Sequence, residues 1–535
     1  MKKAVRMGLA LSIWVHLPGQ GLTPHRILLS DQNLQVDSTR SGLQSNVVSE
    51  IRIQGDSLVW LGTGRGLSVM RDSLSSRTFF SGSQLTPGQS SPVLPEGGIS
   101  AIGSGGDDTL LVAAAKVSDG VSTGGGLVLT ANSQDTSGVN WLYFSQPVDS
   151  AGDSTLSWGG VFLRALPITV PQQNVTYDIA VGKDYFWIAS WAGGVRRLSR
   201  WTQGSSWERV PLPLDDSTRM DCGDKIPGYI LNPRDPPFGN HNHKGFSVLA
   251  YGDTVWAGTA DGINRGLVSP SGCVEWTHYS FPKSGITGNW VVALARQQWR
   301  GTRKIWAVTL STDPAEENGV SYTPDDGRTW YSAADLRGER GYNVFALDSL
   351  VYVATENGLW KSEDGTNFSL FLPAVDPARD DQILDDDVYA VVHDTRSYYG
   401  NVLWIGTGDG MARNLDPGNS STGKESTWRI ERTNIDSRKV YAYPNPFSPY
   451  VNNLLKGDGY VRFHISVRRS NLVRVSIYNF AMEEVRTFDY RRGEGEGALK
   501  WDGRDSAGNL VANGTYFCNL FYDNENHWIK VVVLK

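Results

Sequence analysis

Cysteine and clustered charge are scarce in this sequence, and each scarcity excludes a class of protein. Three cysteines in 535 residues cannot form the dense disulfide framework of a small secreted scaffold. The net charge is -6, without the basic surplus of a general nucleic-acid-binding protein. Lysine and arginine are scattered, so no polybasic run is present to hold an anionic membrane. With 40% hydrophobic and 20% charged residues, the chain is nevertheless too apolar to be disordered.

Long apolar runs are also missing after the first residues. Lys2, Lys3 and Arg6 precede a short apolar stretch, residues 7–17, which is too short to span a bilayer. We interpret residues 1–21 as an export signal peptide; the alternative is an amphiphilic N-terminal strand. No other run reaches the roughly 18 apolar residues of a membrane helix. We therefore expect export across the inner membrane, a secreted or outer-surface location, and no transmembrane span in the mature chain.

The three cysteines are far apart in sequence. Cys222 and Cys273 could pair in an oxidising compartment, or both could remain free thiols. Cys518 falls in a separate C-terminal region and is expected to be a buried apolar residue.

Turn-forming and aromatic residues are abundant, with 59 glycines, 24 prolines and 19 tryptophans, which favours many short strands. Within this composition one pattern recurs seven times. Each copy has a tetrad such as Trp-Leu-Gly-Thr, then a glycine followed by an apolar residue, then a closing aromatic. The tetrads are residues 60–63, 111–114, 187–190, 256–259, 306–309, 352–355 and 404–407. The closing aromatics are Phe79, Trp141, Trp207, Trp276, Trp330, Phe368 and Trp428.

Each copy is interpreted as four short strands. One four-stranded sheet cannot bury both of its faces, whereas sheets packed face to face around an axis can. The small residues of the tetrad suit a crowded position near the axis, and the closing aromatics can fill the wider gaps between sheets. The pattern predicts an all-β fold with a seven-bladed β-propeller over residues 26–434. The tetrads are expected to be scaffold.

Two kinds of propeller repeat are recognisable. Residues 42–46 with 59–67, and residues 402–411, resemble the repeat in the sensor regions of two-component regulators. Residues 323–330 (Thr-Pro-Asp-Asp-Gly-Arg-Thr-Trp) resemble the Asp-box hairpin of sialidase-like propellers, and residues 361–368 a decayed copy. The resemblance covers roughly residues 40–435 and implies the propeller fold. Because an Asp-box is structural in those families, it implies nothing about activity.

A second domain is predicted over residues 439–535, after a polar linker at 434–439. The proline-rich entry at 441–449 cannot be helical. Alternating strands are predicted at residues 460–467, 472–478, 485–490, 515–522 and 528–534. This pattern is typical of an immunoglobulin-like β-sandwich.

The C-terminal region also resembles a known family. Residues 443–447 (Tyr-Pro-Asn-Pro-Phe), 501–504 (Trp-Asp-Gly-Arg) and 513–517 (Asn-Gly-Thr-Tyr-Phe) resemble the FlgD-like immunoglobulin-type domain and the related sorting domain of type IX secretion cargo. In the sorting families such a domain addresses a protein across the outer membrane. The resemblance therefore implies outer-membrane secretion machinery as a partner. The alternative is an ordinary interaction or spacer sandwich.

The longest segment outside the repeats, residues 211–244, is a candidate binding or lid element. The candidate ligand-binding residues in it are Asp221, Asp224, His241, His243 and Lys244. On an extended strand, the two histidines would share a face and could hold a metal ion if a third ligand came from elsewhere. The alternative is a solvated or hydrogen-bonded loop.

Two further loops are unusual in composition. Residues 375–387 are acidic, and oxygen ligands in a flexible loop suit calcium, although the spacing is not that of an EF-hand. The candidate calcium ligands are Asp380, Asp381, Asp385, Asp386 and Asp387; the alternative is a solvated acidic loop. Residues 115–126 are glycine-rich but lack the Gly-Lys-Ser/Thr of a phosphate loop, so a flexible hairpin is expected.

The function predicted from these features is binding of a glycan or protein ligand on one face of the propeller. No carboxylate pair at a defined spacing and no Gly-x-Ser-x-Gly nucleophile is evident. Two alternatives stay open, a polysaccharide-acting hydrolase or lyase on a sialidase-like propeller, and a scaffold of the envelope or secretion machinery.

Overall fold

The computed structural model describes residues 43–535 with several gaps. The gaps are residues 71–75, 80, 83, 136–137, 203, 205, 372–374, 377–380, 384–386, 416–427, 433–439, 444, 451–458, 468 and 493–494. The predicted signal peptide and the predicted linker at 434–439 lie outside the described residues. The described part is built from strands and two 3-10 turns, His241–His243 and Ala334–Leu336. Within it, no helix is long and apolar enough to cross a membrane.

Seven sheets of four or five strands follow one another along the first four-fifths of the chain. Sheet 1 contains β1 (Val48–Gln54), β2 (Leu58–Thr63), β3 (Gly66–Met70) and β4 (Ser76–Phe79). The next strands are β5 (Ser81–Gly82), β6 (Ser90–Ser91), β7 (Leu94–Pro95), β8 (Gly98–Ser104), β9 (Leu110–Ser118), β10 (Val121–Thr130) and β11 (Trp141–Phe144). Sheet 2 contains β6 and β8 to β11, while β5 pairs with β7.

After sheet 2 the chain forms a hairpin of β12 (Thr155–Trp158) and β13 (Val161–Ala165). Sheet 3 contains β14 (Thr176–Val181), β15 (Tyr185–Ser190), β16 (Gly194–Ser199) and β17 (Glu208–Val210). The long connection that follows carries β18 (Arg219–Met220) and β19 (Ile230–Leu231). Sheet 4 contains β18 with β20 (Gly245–Tyr251), β21 (Thr254–Thr259), β22 (Gly262–Val268) and β23 (Val274–Tyr279).

The last three sheets of the series have four strands each. Sheet 5 contains β24 (Trp290–Trp299), β25 (Thr302–Leu310), β26 (Gly319–Thr323) and β27 (Tyr331–Ser332). Sheet 6 contains β28 (Gly341–Leu347), β29 (Leu350–Thr355), β30 (Gly358–Ser362) and β31 (Ser369–Phe371). A short pair, β32 (Val375–Asp376) and β33 (Asp381–Gln382), precedes sheet 7. Sheet 7 contains β34 (Val388–Asp394), β35 (Val402–Thr407), β36 (Gly410–Asn414) and β37 (Trp428–Glu431).

The sheets are arranged in a ring. The first strands contact one another in the order β1, β8, β14, β20, β24, β28 and β34, and β34 contacts β1 again. Each first strand carries a β-bulge near its start, as between Val48 and Glu50 in β1 and between Val388 and Ala390 in β34. A bulge bends a strand and increases its twist. The closed ring of first strands, each with a bulge at its start, is a propeller-like arrangement of sheets around one axis.

The threonine of the tetrad holds the turn between the second and third strands. In sheet 4, Thr259 Oγ1 donates to the carbonyl of Gly262 at 3.1 Å and accepts the amide of Asp261 at 3.1 Å. Gly262 has φ +108°, and a Cβ there would clash with the carbonyl of Tyr279. The same pair of bonds forms at Thr63, Thr355 and Thr407. The tetrads therefore have a structural role in these turns.

The closing aromatics fill the space between neighbouring sheets, as the sequence pattern predicted. Trp141 of sheet 2 meets Trp60 of sheet 1 edge-on, with ring centroids 6.3 Å apart. Phe368 meets Trp306 of the preceding sheet in the same way, at 6.0 Å. The tetrad tryptophans are completely buried; Trp306, for example, donates its Nε1 hydrogen to Gln297 Oε1 at 2.9 Å.

Two turns, at residues 323–330 and 361–368, are held by hydrogen bonds between side chains and backbone amides. Asp325 Oδ1 accepts the backbone amide of Thr329 at 2.9 Å, and Thr323 Oγ1 accepts the amide of Gly327 at 2.8 Å. In the second turn, Asp364 accepts the amides of residues 366 and 367. These backbone hydrogen bonds lower the pKa of the Asp364 carboxyl.

The hairpin β12–β13 and residues 211–244 form an addition to sheets 3 and 4 that the sequence did not predict as a structural unit. Strand β19 pairs in parallel with β13, and β18 adds an edge strand to sheet 4 beside β23. Cys222 and Cys273 form a disulfide with their Cα atoms 6.0 Å apart, so pairing is the alternative that the structure adopts. Trp158, Tyr229 and Leu231 of this addition pack into the core of sheets 3 and 4.

The last seven strands form two sheets that share a core. They are β38 (Tyr441–Tyr443), β39 (Val461–Val467), β40 (Asn471–Tyr478), β41 (Glu484–Arg492), β42 (Gly495–Trp501), β43 (Gly514–Tyr522) and β44 (Glu525–Val533). One sheet has the order β38-β39-β42 and the other β41-β40-β43-β44. Phe463 and Trp501 from the first pack against Val475 and Cys518 from the second. The five predicted strands are confirmed to within three residues, and Cys518 is buried as expected.

Candidate functional site

One end of the ring is formed by the turns that follow the tetrads and by the connections that enter the first strands. The two are hydrogen-bonded to each other. The amide of Gly64 donates to the carbonyl of Val47 at 3.0 Å, and that of Ala260 to the carbonyl of Lys244 at 3.1 Å. We call this end of the ring the mouth face. Antiparallel pairing forces this proximity, because the second strand ends where the first begins.

A cavity of about 520 Å³ opens on the mouth face between sheets 1 and 2. It is lined by Gln44, Gly64, Arg65, Ser81, Glu96, Gly97, Gly98, Ala115, Lys116 and Val117. Gly97 has φ +121°, and a Cβ there would clash with the carbonyl of Ala115. A Cβ on Gly98 would lie 2.8 Å from the carbonyl of Gly64. The close approach of these backbone segments therefore requires glycine at both positions.

The rim of this cavity is charged with both signs. Lys116 Nζ lies 2.7 Å from Glu96 Oε2, and both side chains are partly exposed. Arg65 occupies the turn position two residues after Thr63, whose hydroxyl accepts its amide. Such an exposed ion pair is weak and can exchange its partners for those of a ligand. The cavity thus offers donors and acceptors to a polar ligand.

A cluster of aromatic side chains lies near the mouth face at sheets 3, 4 and 5, across the ring from the cavity. Phe246 lies 5.8 Å from Tyr177 and 5.0 Å from Trp290, measured between ring centroids, and all three are buried. Trp191, from the turn of sheet 3, packs on Phe246 at 5.2 Å. Lys244 Nζ lies 4.4 Å above the ring of Trp191. This cluster fills the space between the first strands of sheets 3, 4 and 5.

The two candidate histidines do not lie on an extended strand; they form a 3-10 turn that separates their side chains. His243 is buried, its Nδ1 accepts the amide of Asn232 at 2.9 Å, and its Nε2 lies 3.1 Å from the carbonyl of Leu212. Burial lowers the pKa of His243 to about 4, so the ring is neutral at physiological pH. The His241 side chain is partly exposed and lies 3.4 Å from Asp235. Lys244 is buried and paired with Asp235.

The other two candidate residues of this connection lie elsewhere. Asp221 accepts hydrogen bonds from Arg219 Nε and donates its backbone amide to Asp224 Oδ2. Both acidic residues flank Cys222, whose disulfide partner Cys273 precedes β23, at the far end of β22. A seven-residue strand spans roughly 20 Å. The structure therefore brings Lys244 and the histidines together on the mouth face but places Asp221 and Asp224 near the opposite end.

The sequence did not indicate that the carboxyl group of Asp261 is largely buried beside the histidine turn. Asp261 lies in the turn two residues after Thr259, and its Oδ2 lies 3.6 Å from His278 Nε2. Burial, and secondarily the charge of Asp215, raises the pKa of Asp261 to about 8. Asn242 joins this group through hydrogen bonds to Thr259 and Asn264. The hydrogen bonds of Asn242 therefore attach the histidine turn to sheet 4.

The acidic segment is only partly described. Asp380, Asp385 and Asp386 lie outside the described residues, and Asp381 is in the backbone pair β32–β33. Asp387 accepts hydrogen bonds from the hydroxyls of Tyr342 at 2.8 Å and Tyr389 at 3.3 Å. Among the residues that the structure describes, no group of three histidine, cysteine or acidic residues is placed to hold a metal ion.

Two carboxylates face the interior of the ring. Glu50 is completely buried, with Oε2 3.2 Å from Arg52 Nη1. Asp178 accepts the amide of Val248 from the neighbouring sheet at 3.0 Å and lies 3.9 Å from Arg52. Asp178 therefore joins neighbouring sheets, whereas Glu50 pairs with Arg52 of its own strand. One residue of the cavity lining, Arg65, could have been suspected from its position two residues after a tetrad threonine; the corresponding residues of other sheets, Asp261, Asn357 and Asp409, do not line the cavity.

One family model matches the chain. It is the FlgD Ig-like domain, over residues 452–525, which falls within the two-sheet C-terminal domain. A search of curated proteins found no significant match.

Solved structures resemble the chain at low identity. PorZ, a bacterial surface component of the type IX secretion system of Porphyromonas gingivalis, is 14% identical over 92% of this chain and 71% of its own, with a TM-score of 0.27. The β-propeller domain of Cps50 (Swd1) from Myceliophteria thermophila is 12% identical over 68% of this chain and 95% of its own, with a TM-score of 0.39. The extracellular domain of BT4673 from B. thetaiotaomicron is 12% identical over 93% and 82%, with a TM-score of 0.20. These values are too low to support a functional argument.

Proposed function

We propose that the seven sheets are the blades of one β-propeller, residues 26–434, and that the chain is an exported binding protein. Residues 1–21 are taken as its signal peptide, and residues 439–535 as an immunoglobulin-like attachment or sorting domain. The observation that carries the proposal is the cavity of about 520 Å³ on the mouth face. A recess formed by loops on a rigid scaffold is the usual location of a binding site.

The ligand is a glycan or a protein segment that presents polar groups. Arg65 and Lys116 can donate hydrogen bonds to hydroxyl, carbonyl or carboxylate oxygens, and Glu96 can accept them. Of the residues first suggested by the sequence, His241 has a partly exposed side chain on the mouth face, beside sheet 4 and outside the lining of the cavity. Asp221 and Asp224 are too far from the cavity to join it, and His243 and Lys244 are buried.

The test is a binding screen of the full chain without residues 1–21. Probes are a glycan array and outer-membrane proteins immobilised from the source cell. We expect a specific ligand, and we expect the double variant Arg65→Ala/Lys116→Ala to weaken its binding at least about tenfold, because the ligand would lose the hydrogen bonds that both cations donate. The control is Lys183→Ala, because Lys183 forms an exposed pair with Asp253 away from the cavity. Unchanged binding by a folded double variant would contradict the proposed site.

The same screen addresses the hydrolase or lyase alternative. A depolymerising enzyme would release new chain ends from a polysaccharide, and turnover would be lost in Glu50→Gln or Asp178→Asn. The ion pair of Glu50 with Arg52 and the hydrogen bonds of Asp178 with backbone amides favour structural roles, so binding is the function that we propose.

The role of the C-terminal domain is tested by the intact mass of the native protein from culture medium and outer membrane. A product that ends near residues 434–439 would support a removable sorting domain that engages secretion machinery. A product that retains Lys535 would support a permanent attachment module and would favour a role as an envelope scaffold.

A further inference from the structure

The hairpin of β9 and β10 extends at the mouth face beyond the start of β8. Strand β9 runs to Ser118, whereas its pairing with β8 stops where Ala115 meets Gly98. The hairpin closes through Asp119 and Gly120, with φ of +52° and +76°. Positive φ at both positions, with glycine second, is the type I′ turn that keeps two strands in close register. The last residues of β9 therefore form a strand edge beside the cavity.

This edge is open because the chain that enters β8 leaves the sheet at Gly97. One more rung of the ladder would place Glu96 opposite Val117, since the last pair is Gly98 with Ala115. Gly97 has φ +121° and turns the chain away from β9. Among the residues that the structure describes, Val117 pairs across the sheet with Ser122 of β10 and with no residue on its other side.

The direction of the Val117 backbone follows from this partner in β10. Ser122 turns its carbonyl away from β9 and accepts the amide of Gln173 at 2.8 Å. In an antiparallel pair that exchanges no hydrogen bonds, both residues turn their amide and carbonyl groups outward. Val117 therefore directs its N–H and C=O toward the side of the cavity, where no described residue bonds them.

The lining of the cavity suits an extended peptide better than a sugar. Val117 belongs to the lining and is 39% exposed, so a ligand in the cavity can reach it. None of the described lining residues has an aromatic ring on which the C–H face of a sugar could pack. Val117 instead offers an amide donor and a carbonyl acceptor in the geometry of a strand, the groups through which a peptide adds itself to an exposed sheet edge.

The charged groups of the lining indicate one feature of that peptide. They are Arg65, Glu96 and Lys116, two cations and one anion. Lys116 Nζ lies 2.7 Å from Glu96 Oε2, and both side chains are partly exposed. The lining therefore has a surplus of one positive charge, which a carboxylate of the ligand complements.

We propose that the free edge of β9 binds an extended peptide segment that carries a carboxylate. The peptide adds as a strand: its backbone donates to the carbonyl of Val117 and accepts the amide of Val117. Its side chains alternate, and a carboxylate among those that enter the cavity meets Arg65 and Lys116. Since the same cavity is used, this site rests on the proposed function, and it identifies the ligand of that function as a peptide.

The test uses the full chain without residues 1–21 and a displayed library of random dodecapeptides. We expect selection of peptides that share an acidic residue, and calorimetry with one synthetic peptide measures its affinity. Val117→Pro removes the N–H and blocks the edge, so it should weaken binding at least about tenfold, whereas Val117→Thr should retain it. Replacement of the shared acidic residue by its amide should also weaken binding.

A change in the peptide backbone tests the pairing without altering the protein. The amides of the peptide are N-methylated one at a time. Binding should weaken at the one amide that donates to Val117 and persist at its two neighbours, whose N–H groups point away from the edge. This series decides the question even if Val117→Pro does not fold, which thermal unfolding of each variant verifies.

Two further variants separate the strand edge from the cavity. Lys183→Ala lies away from the cavity and should bind the peptide like the wild type. Arg65→Ala/Lys116→Ala should weaken peptide binding. If this double variant is folded and binds every ligand unchanged, the proposed function fails together with the strand-edge site.

Other outcomes would overturn the strand-edge site and leave the proposed function standing. One is selection of no peptide, with a glycan that binds the wild type and Val117→Pro equally but Arg65→Ala/Lys116→Ala weakly. Another is a selected peptide whose affinity changes neither in folded Val117→Pro nor at any N-methylated position.

Discussion

Trp330 of sheet 5 meets Trp256 of sheet 4 edge-on, with the ring centroids 6.2 Å apart. Trp330 closes one repeat, whereas Trp256 belongs to the tetrad of the repeat before it. The same relationship joins Trp141 to Trp60 and Phe368 to Trp306. Where the tetrad of sheet 2 has Leu111 instead of an aromatic residue, Leu111 and the closing Trp207 still share one cluster. The repeat in sequence is thus a repeat of contacts between sheets.

Removing either tryptophan of this pair should destabilise the ring. We expect Trp256→Ala to lower the free energy of unfolding by about 3–5 kcal/mol, because it leaves a large cavity in a buried cluster. Denaturant unfolding of both single variants and of Trp256→Ala/Trp330→Ala gives the coupling energy, expected at about 0.5–1.5 kcal/mol. Strict additivity would show that the two rings do not interact across the sheets. Trp201→Ala, an exposed position, is the control.

Arg396 joins the last sheet of the ring to the first. It donates to the carbonyls of Gln54 and Leu58 in sheet 1 and pairs with the buried carboxylate of Asp394. We expect Arg396→Ala to lower the free energy of unfolding by about 3–5 kcal/mol, because Asp394 would remain buried without its cation.

The control for that variant is Arg219→Ala, since Arg219 forms an exposed pair with Asp221. An exposed pair contributes about 1 kcal/mol or less. Thermal and urea unfolding are measured for both. Equal effects of the two variants would contradict a closing role for Arg396.

The disulfide Cys222–Cys273 anchors the long connection to sheet 4. We expect Cys222→Ser/Cys273→Ser to lower the free energy of unfolding by about 2–4 kcal/mol, since the cross-link restricts the unfolded chain. A reducing agent should lower the Tm of the wild type to near that of the double variant and leave the Tm of the double variant unchanged. A reducing agent that shifts both proteins equally would point to another cause, because Cys518 is buried in the other domain.

Asp261 should make stability depend on pH. Its pKa rises from 3.8 in the unfolded chain to about 8 in the folded protein. The folded state therefore holds the proton more tightly than the unfolded state does. This tighter binding contributes fully to the free energy of unfolding below pH 4, and the contribution is lost as pH rises through about 8. Between pH 5 and pH 9 the wild type should therefore lose about 4 kcal/mol of stability relative to Asp261→Asn, because about three pH units of this interval lie below the folded pKa and each contributes about 1.4 kcal/mol.

The pH dependence of the wild type must be compared with that of Asp261→Asn, because the titration of His243 changes stability with pH in the opposite direction. Its pKa of about 4 lies below the unfolded value of 6.5, so its contribution is lost as pH falls. Unfolding of wild type, Asp261→Asn and the exposed control Asp253→Asn is measured at pH 5, 7 and 9. A stability difference between wild type and Asp261→Asn that does not change with pH would contradict a buried, protonated carboxyl.

Much of the fold could be predicted because its determinants are local. The tetrad, the following glycine and the closing aromatic lie within one repeat, and each shapes a turn or a strand a few residues away. Thr259 and Gly262 illustrate this, since their hydrogen bond spans three residues. The strands of the C-terminal domain were predictable for the same reason, because alternation is a property of adjacent residues.

The candidate site depended on residues that are distant in sequence. The cavity collects Gln44, Arg65, Glu96 and Lys116 from two sheets, and only ring packing brings them together. The sequence left two arrangements of the histidines open, because their positions depend on a 3-10 turn and on the contacts of His243 with Leu212 and Asn232.

The amino-acid sequence by itself determined that the chain forms repeated short strands with aromatic residues between them, followed by an alternating all-β domain. Only the tertiary structure decided that Cys222 pairs with Cys273 and that Arg396 meets Leu58. The physical reason is that periodicity and turn preference act between neighbours, whereas burial and pairing depend on which distant surfaces pack together.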